Sequence, residues 1–186
     1  MNINDETLDR FVATFTIDHR SESLHPVPDE MLAKARTGDR RFYIWRPVHA
    51  ITPPNELEVI YDVLPGRFPN LYEKLVLNYR WLEVQYDNFA LFASPPGPLV
   101  DGILSSLTRD QGLSRVLFKF GFIPFAKRDC YDPICFNGIE AGRAGDCAIV
   151  SFNHEAILCN GVLGDASIVA PSFTELVVKL IQTGGA

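Results

Sequence analysis

Four cysteines and one histidine in the last third of the chain are the first residues whose chemistry could define a site. The spacings are C-x4-C, C-x11-C and C-x11-C, counted along Cys130, Cys135, Cys147 and Cys159, and His154 lies before the last cysteine. Zinc sites typically use a short C-x2-C knuckle, which places two thiolates on one turn. The sequence therefore favours reduced, buried thiols, and it predicts no metal and no cofactor.

A nucleophilic Cys–His pair is the second chemistry that these residues offer. Cys135 or Cys147 could face His154 across neighbouring strands, but a working pair needs a thiol of lowered pKa and a base within hydrogen-bond reach. No glycine-rich elbow surrounds either cysteine. A buried thiol and a histidine at a strand end are favoured, and an enzyme that uses His154 with Glu155 or a cysteine is the alternative.

Carboxylates form the third group. Asp129, Asp132 and Glu155 fall near loops, together with Asn137. Such residues can serve acid–base catalysis or a hard cation, but their spacing is not that of a calcium loop. Asp and Asn also make turns by bonding their own backbone, which is the favoured interpretation, with a polar recognition surface as the alternative. Phosphate-binding glycine loops and the H-E-x-x-H zinc motif are absent from the sequence.

The elements that carry these residues are predicted to be strands of an antiparallel meander. Residues 122–126, 134–136 and 147–152 are short β-rich runs, too closely spaced for helical crossovers. Pro133 is expected at a strand start, bulge or edge because it removes a donor from the ladder. Ser172 and Glu175 form a capping box before a final amphipathic helix that ends near Gly184.

The N-terminal two-thirds is predicted to be mainly helical. A first helix begins near Asp5, a second spans residues 29–36 before Gly38, and two more fill residues 55–81, the later one capped by Asn70. Further helical stripes cover residues 99–107 and 113–120, and strands are expected at 41–45 and 89–93. The fold class is therefore α+β, with residues 1–52 as a helical extension packed on an α+β domain of residues 53–186.

Charge and apolar patterning limit the classes of partner. The chain has 17 basic and 23 acidic residues among 186, a net charge of −6, which disfavours nucleic acid and favours a basic protein partner. The N-terminus is polar and acidic, unlike a signal peptide, and no run reaches the roughly 20 apolar residues of a membrane span. A cytoplasmic protein without membrane contact is expected.

A family resemblance is carried by three stretches in order, residues 60–79, 122–137 and 149–177. Together they resemble the SUKH superfamily of bacterial toxin-immunity proteins and fungal cell-wall-synthesis regulators. Residues 60–79, IYDVLPGRFPNLYEKLVLNY, are similar to the early L-P-x-x-Y-x-x-L helix pair of the family. Residues 122–137, FIPFAKRDCYDPICFN, resemble its I-P-F-A and D-x-I-C strands, and residues 149–158 with 169–177 resemble its D-H-E and S-F-x-E-L ending. Asn137 and Asn153 stand where the family often has aspartate.

The resemblance implies helices packed on a mostly antiparallel sheet and a non-enzymatic role. Bacterial members bind and block a cognate toxin, often a nuclease, and a basic toxin domain would suit an acidic chain. An oligomeric scaffold is a further alternative. The residues predicted to contact a protein partner are Trp81, Asp129, Tyr131, Asp132, Asn137, His154 and Glu155.

Overall fold

The computed structural model describes residues 5–35, 41–128 and 131–184. The first helix begins as predicted: α1 spans Asp5–Ala13, and a 3-10 turn, Thr14–Thr16, continues it. Its stripe of Leu8, Phe11 and Val12 is buried. A small antiparallel sheet follows, with the strand order β1-β3-β2. Its strands are β1 (Glu22–Ser23), β2 (Leu32–Lys34) and β3 (Tyr43–Trp45).

The predicted helix over residues 29–36 is wrong. Of residues 29–35, which the structure describes, only Asp29–Met31 is helical, as one 3-10 turn, and Leu32 then pairs with Trp45 of β3. Burial of Met31 and Trp45, each at most 1% exposed, outweighs the local helical pattern. The first 52 residues, where described, are therefore one α-helix with short strands and turns, while Gly38 lies outside the described residues.

The two helices predicted between residues 55 and 81 are confirmed. Helix α2 spans Asn55–Tyr61 and α3 spans Asn70–Asn78. Asn70 is not the cap of α3, because Pro69 occupies that position without a side-chain hydrogen bond. The chain leaves α3 directly into β5 (Tyr79–Arg80), which pairs with β4 (Val48–His49).

A six-stranded antiparallel sheet forms the centre of the molecule, which confirms the α+β class. Its order is β11-β10-β9-β8-β7-β6, so neighbours in space are also neighbours in sequence. The predicted meander is confirmed, with Pro133 as the first residue of its strand. The strands are β6 (Val84–Tyr86), β7 (Phe89–Leu91), β8 (Phe122–Lys127), β9 (Pro133–Asn137), β10 (Ile149–Ser151) and β11 (Ser167–Ala170).

Helices cover both faces of this sheet. They are α4 (Ser105–Leu107), which continues a π-helical turn at Val100–Leu104, α5 (Gln111–Lys119), α6 (Gly138–Ala144), α7 (His154–Asn160) and α8 (Phe173–Gly184). Phe136 packs on Phe173 of α8 on one face, while its neighbour Cys135 packs with Leu117 of α5 and Ile157 of α7 on the other. No described helix has the length and apolarity that a membrane span requires.

The start of α8 carries the predicted cap and a second one. The Ser172 hydroxyl accepts a hydrogen bond from the Glu175 backbone N–H at 3.1 Å. The Asp146 carboxylate accepts from the backbone N–H groups of Phe173 and Thr174 at 2.9 and 3.2 Å. Three of the unsatisfied donors at the helix start are thus bound, and the loop before β10 is fixed to α8.

The N-terminal segment shares its core with the central sheet. Phe11 packs edge-on against Phe173 with ring centroids 6.4 Å apart, and the hydroxyls of Thr14 and Tyr86 are hydrogen-bonded at 3.0 Å. These contacts also cover the sheet at its β6 edge. The division into residues 1–52 and 53–186 stays a prediction.

Candidate functional site

A cleft of about 690 Å³ opens on the sheet face that carries α5 and α7. Residues from β8, β9, α4, α5 and α7 line it. The apolar lining residues are Phe92, Leu107, Leu113, Pro124, Pro133 and Leu158, and the polar ones are Ser106, Arg109, Asp110, Gln111, Ser114, Lys127, Tyr131 and His154. A mostly apolar cavity of this size with a few polar groups is typical of a binding site.

Two helix starts place the polar residues at the cleft. The Asp110 carboxylate caps α5 by accepting from the Leu113 backbone N–H at 3.0 Å. The Asn153 amide oxygen caps α7 by accepting from the Ala156 backbone N–H at 2.9 Å. His154 is therefore the first residue of α7, where its ring reaches the turn between β8 and β9.

Asp132 fixes the ring of His154. One oxygen, Oδ1, accepts from the Nδ1 of His154 at 2.8 Å and from its backbone N–H at 2.9 Å. The two side chains are only 22% and 18% exposed. Because a carboxylate can only accept, Nδ1 carries the hydrogen, and Nε2 is the nitrogen that faces away from Asp132 in the bonding pattern.

The hydroxyl of Ser114, like Nε2 of His154, is a polar group of the cleft with hydrogen-bonding capacity that the described residues do not use. It lies in the second turn of α5, is only 5% exposed, and lines the cleft. Within the described residues its hydroxyl makes no hydrogen bond. The hydroxyl of Ser106, by contrast, donates to the Gly102 carbonyl at 3.1 Å. This hydroxyl thus remains available to a ligand.

Tyr131 stands at the rim of the cleft. Its side chain is 66% exposed, and its backbone has φ of 69°, which is uncommon for a residue other than glycine. Its N–H donates to the Arg128 carbonyl at 2.9 Å, which holds the turn. The Lys127 ammonium lies 5.6 Å from the ring centroid, and the His154 ring lies 6.4 Å away. A smaller depression of about 190 Å³ lies on the Glu83 and Gln85 side of Tyr131.

Charges around the cleft are balanced rather than acidic. Glu83 pairs with Arg109 at 3.5 Å and with Lys127 at 3.6 Å. Asp110 is used as a helix cap, and Asp132 is bound to His154. The net charge of −6 is thus not concentrated in the described part of this surface.

The structure brings together three of the residues predicted to contact a partner: Tyr131, Asp132 and His154. Trp81 is a correction, because it is fully buried and its Nε1 donates to the Phe92 carbonyl at 2.8 Å. An indole whose N–H donates a hydrogen bond can be buried in a protein core without an unpaired polar group. Asn137 instead caps α6 by accepting from the Glu140 N–H at 3.2 Å. Glu155 is exposed, and Asp129 lies outside the described residues.

The two cysteines considered as nucleophiles, Cys135 and Cys147, are both buried thiols. Cys135 is fully buried, and this burial raises the pKa of its thiol well above the usual value. Burial is also the main cause that raises the pKa of Cys147 to about 12. Cys159 is exposed on α7, and Cys130 lies outside the described residues. In the described ranges no three His, Cys, Asp or Glu side chains are grouped to hold a metal ion.

Sequence reasoning missed Ser114 and the pairing of Asp132 with His154. The sequence did contain the signal for α7, since Asn153 precedes this helix and Gly161, with φ of 65°, ends it.

No family model, curated protein or solved structure matches the chain. The resemblance to the SUKH superfamily stays a prediction, and the functional argument rests on the cleft.

Proposed function

We propose that this chain is a non-enzymatic, cytoplasmic protein-binding module that receives a segment of its partner in the cleft beside Tyr131. The observation that carries the proposal is the position of Tyr131, an exposed aromatic side chain on a hydrogen-bonded turn at the mouth of an apolar cleft. Aromatic side chains beside desolvated pockets are the residues that dominate the binding energy of protein interfaces.

The surroundings of Tyr131 support a preformed surface. Lys127 lies near its ring and is itself tied to Glu83, while the adjacent Asp132 is bound to α7. A side chain that is already ordered loses little conformational entropy on binding. The apolar lining gives the partner area to bury, with Leu113 and Leu158 on two different helices.

The resemblance favours a toxin domain, often a nuclease, as the partner, and thus an immunity role. The net charge of −6 supports long-range attraction of a basic domain. At the cleft itself the described charges are balanced, so contact there depends on shape and apolar burial rather than on opposite charge. Salt should accordingly slow association more than it weakens the bound complex.

Affinity capture with three forms of the full chain tests this proposal. Cellular proteins are passed over immobilised wild type, Tyr131→Ala and Phe120→Ala, the last changing an exposed aromatic residue that does not line the cleft. We expect one protein to be retained by wild type and Phe120→Ala, and its affinity to fall at least about tenfold with Tyr131→Ala. Equal retention by all three forms contradicts the proposal. A retained nuclease whose activity the chain blocks supports the immunity role.

An enzyme is the second candidate, because Asp132 holds His154 in the orientation that a general base requires. The partner of His154 is thus Asp132, and neither Glu155 nor a buried cysteine. Hydrolysis of a chromogenic ester by wild type that is lost in His154→Ala and retained in Glu155→Gln favours this candidate. Equal rates for all three proteins count against it.

A further inference from the structure

The polar residues that line the cleft differ in how far solvent reaches them. Ser114 is the one buried polar residue of the described lining, with 5% of its surface exposed. The exposed ones are Arg109, Asp110, Gln111 and Tyr131, and the half-buried ones are Ser106, Lys127 and His154. An exposed group can keep its contact with water when a ligand enters the cleft. The hydroxyl of Ser114 instead depends on what the ligand offers once solvent has been displaced.

The half-buried polar groups of the lining already have partners inside the protein. These partners are the Gly102 carbonyl for Ser106, Glu83 for Lys127 and Asp132 for His154. The hydroxyl of Ser114 has none within the described residues, and the Asp110 carbonyl, one helical turn earlier, accepts from the Ser114 backbone N–H at 2.9 Å. Ser114 thus combines burial with an unused hydroxyl, which no other polar residue of the described lining does.

We infer that Ser114 is a specificity-determining residue of the cleft, and that the bound segment of the partner brings a hydrogen-bonding group to its hydroxyl. A ligand that displaces solvent without offering such a group leaves the hydroxyl unpaired, which lowers affinity. The group can come from a side chain or from the backbone, because a hydroxyl both donates and accepts. This inference rests on the proposed protein-binding function and excludes a segment held by apolar contacts alone.

The free protein offers a first test, because the inference assigns the Ser114 hydroxyl no bond within the fold. Ser114 lies inside α5, where alanine is favoured over serine. We therefore expect Ser114→Ala to have a Tm equal to or higher than that of wild type. A lower Tm would show that the hydroxyl is bonded within the protein, and it would overturn the inference.

Benzyl alcohol and toluene are the probes for binding, because they share one ring and differ in a hydroxyl. Each is titrated into isotope-labelled full chain, and binding is followed by the NMR shifts of the Leu113 and Leu158 backbone amides. We expect the ratio of the two affinities, benzyl alcohol over toluene, to fall at least about fivefold in Ser114→Ala. Ser106→Ala is the matched control, since its hydroxyl already donates to Gly102, and should keep the wild-type ratio.

An unchanged ratio in Ser114→Ala overturns the inference, and so does an absence of shifts at the cleft with both probes. The capture experiment keeps this result separate from the proposed function. If Tyr131→Ala loses the captured protein while the ratio does not depend on Ser114, only the inference about Ser114 fails. If the ratio depends on Ser114 but capture does not depend on Tyr131, the cleft binds small molecules and the protein-binding function fails.

Discussion

Asp132 and His154 are joined twice through one carboxylate oxygen, at 2.8 Å to the ring Nδ1 and at 2.9 Å to the backbone N–H. The pair connects the turn between β8 and β9 to the first residue of α7, although 22 positions separate the two residues. One contact thus orients the imidazole and holds two walls of the cleft together.

Removal of this carboxylate should lower both stability and order at the cleft. Asp132→Ala leaves a partly buried backbone N–H and ring N–H without their acceptor, so we expect the free energy of unfolding to fall by about 2 kcal/mol. Urea unfolding measures the change. Glu155→Gln is the control, since Glu155 is exposed beside His154, and should leave stability unchanged. A stable Asp132→Ala protein would show that the pair does not join the two walls.

Substitution of Tyr72 is expected to raise stability rather than lower it. It is fully buried among Phe125, Phe136 and Phe173, and its hydroxyl has no hydrogen-bond partner in the described structure. Tyr72→Phe removes this unpaired polar group and should raise the free energy of unfolding by about 1 kcal/mol, visible as a higher Tm.

Tyr61 is the matched control for Tyr72. Its hydroxyl donates to Oε2 of Glu73 at 2.7 Å, so Tyr61→Phe should lower stability by about 1 kcal/mol. Opposite shifts of Tm for the two Tyr→Phe variants are expected. A lower Tm for Tyr72→Phe would mean that the buried hydroxyl is hydrogen-bonded after all.

Gly66 lies so close to the backbone of Gly138 that a side chain cannot be accommodated there. A Cβ on Gly66 would lie 2.4 Å from the carbonyl carbon of Gly138, which is backbone and cannot move aside. Gly66→Ala should cost about 3 kcal/mol of stability, the upper range for overpacking. Gly142→Ala, in α6, would meet nothing closer than 3.7 Å and should be neutral or slightly stabilising. Equal Tm values for the two variants would contradict this close approach.

Thiol labelling tests the burial of the cysteines. Burial raises the pKa of Cys147 to about 12 and that of Cys135 well above its usual value, so neither forms thiolate near neutral pH. Iodoacetamide followed by peptide mass spectrometry should label exposed Cys159 in the native protein, and Cys135 and Cys147 only after unfolding. Rapid labelling of Cys135 in the folded chain would reopen a thiol-based mechanism.

The parts of the fold that could be predicted are those in which apolar residues recur with a clear strand or helix period. Val150 and Phe152 face one side of the sheet and Ile149 the other, as their alternation indicates, and the stripe of α8 packs inward from its capping serine. The N-terminal sheet was not predictable, because β1 to β3 are two or three residues long. This sheet depends on the pairing of Leu32 with Trp45, which are distant in sequence, and no local sequence pattern indicates that pairing.

The site was predictable only in part, for a similar reason. Tyr131 and His154 were identified by type and position, but the Asp132–His154 bond depends on how α7 packs against the sheet. Ser114 gave no signal, since a serine on a helix is usually exposed. Trp81 was wrongly predicted to contact a partner, because amphipathic aromatic residues occur both at interfaces and in cores. Its core position is evident from the hydrogen bond that its N–H donates to the Phe92 carbonyl.

Amide hydrogen exchange of the full chain, with and without the captured partner, tests the central claim most directly. If the cleft is the binding surface, exchange should slow in residues 109–114, 131–133 and 154–158, which line or border it, and stay unchanged along β11 at the far edge of the sheet. Slower exchange confined to β11 or to the N-terminal strands, with the cleft unaffected, would contradict the account.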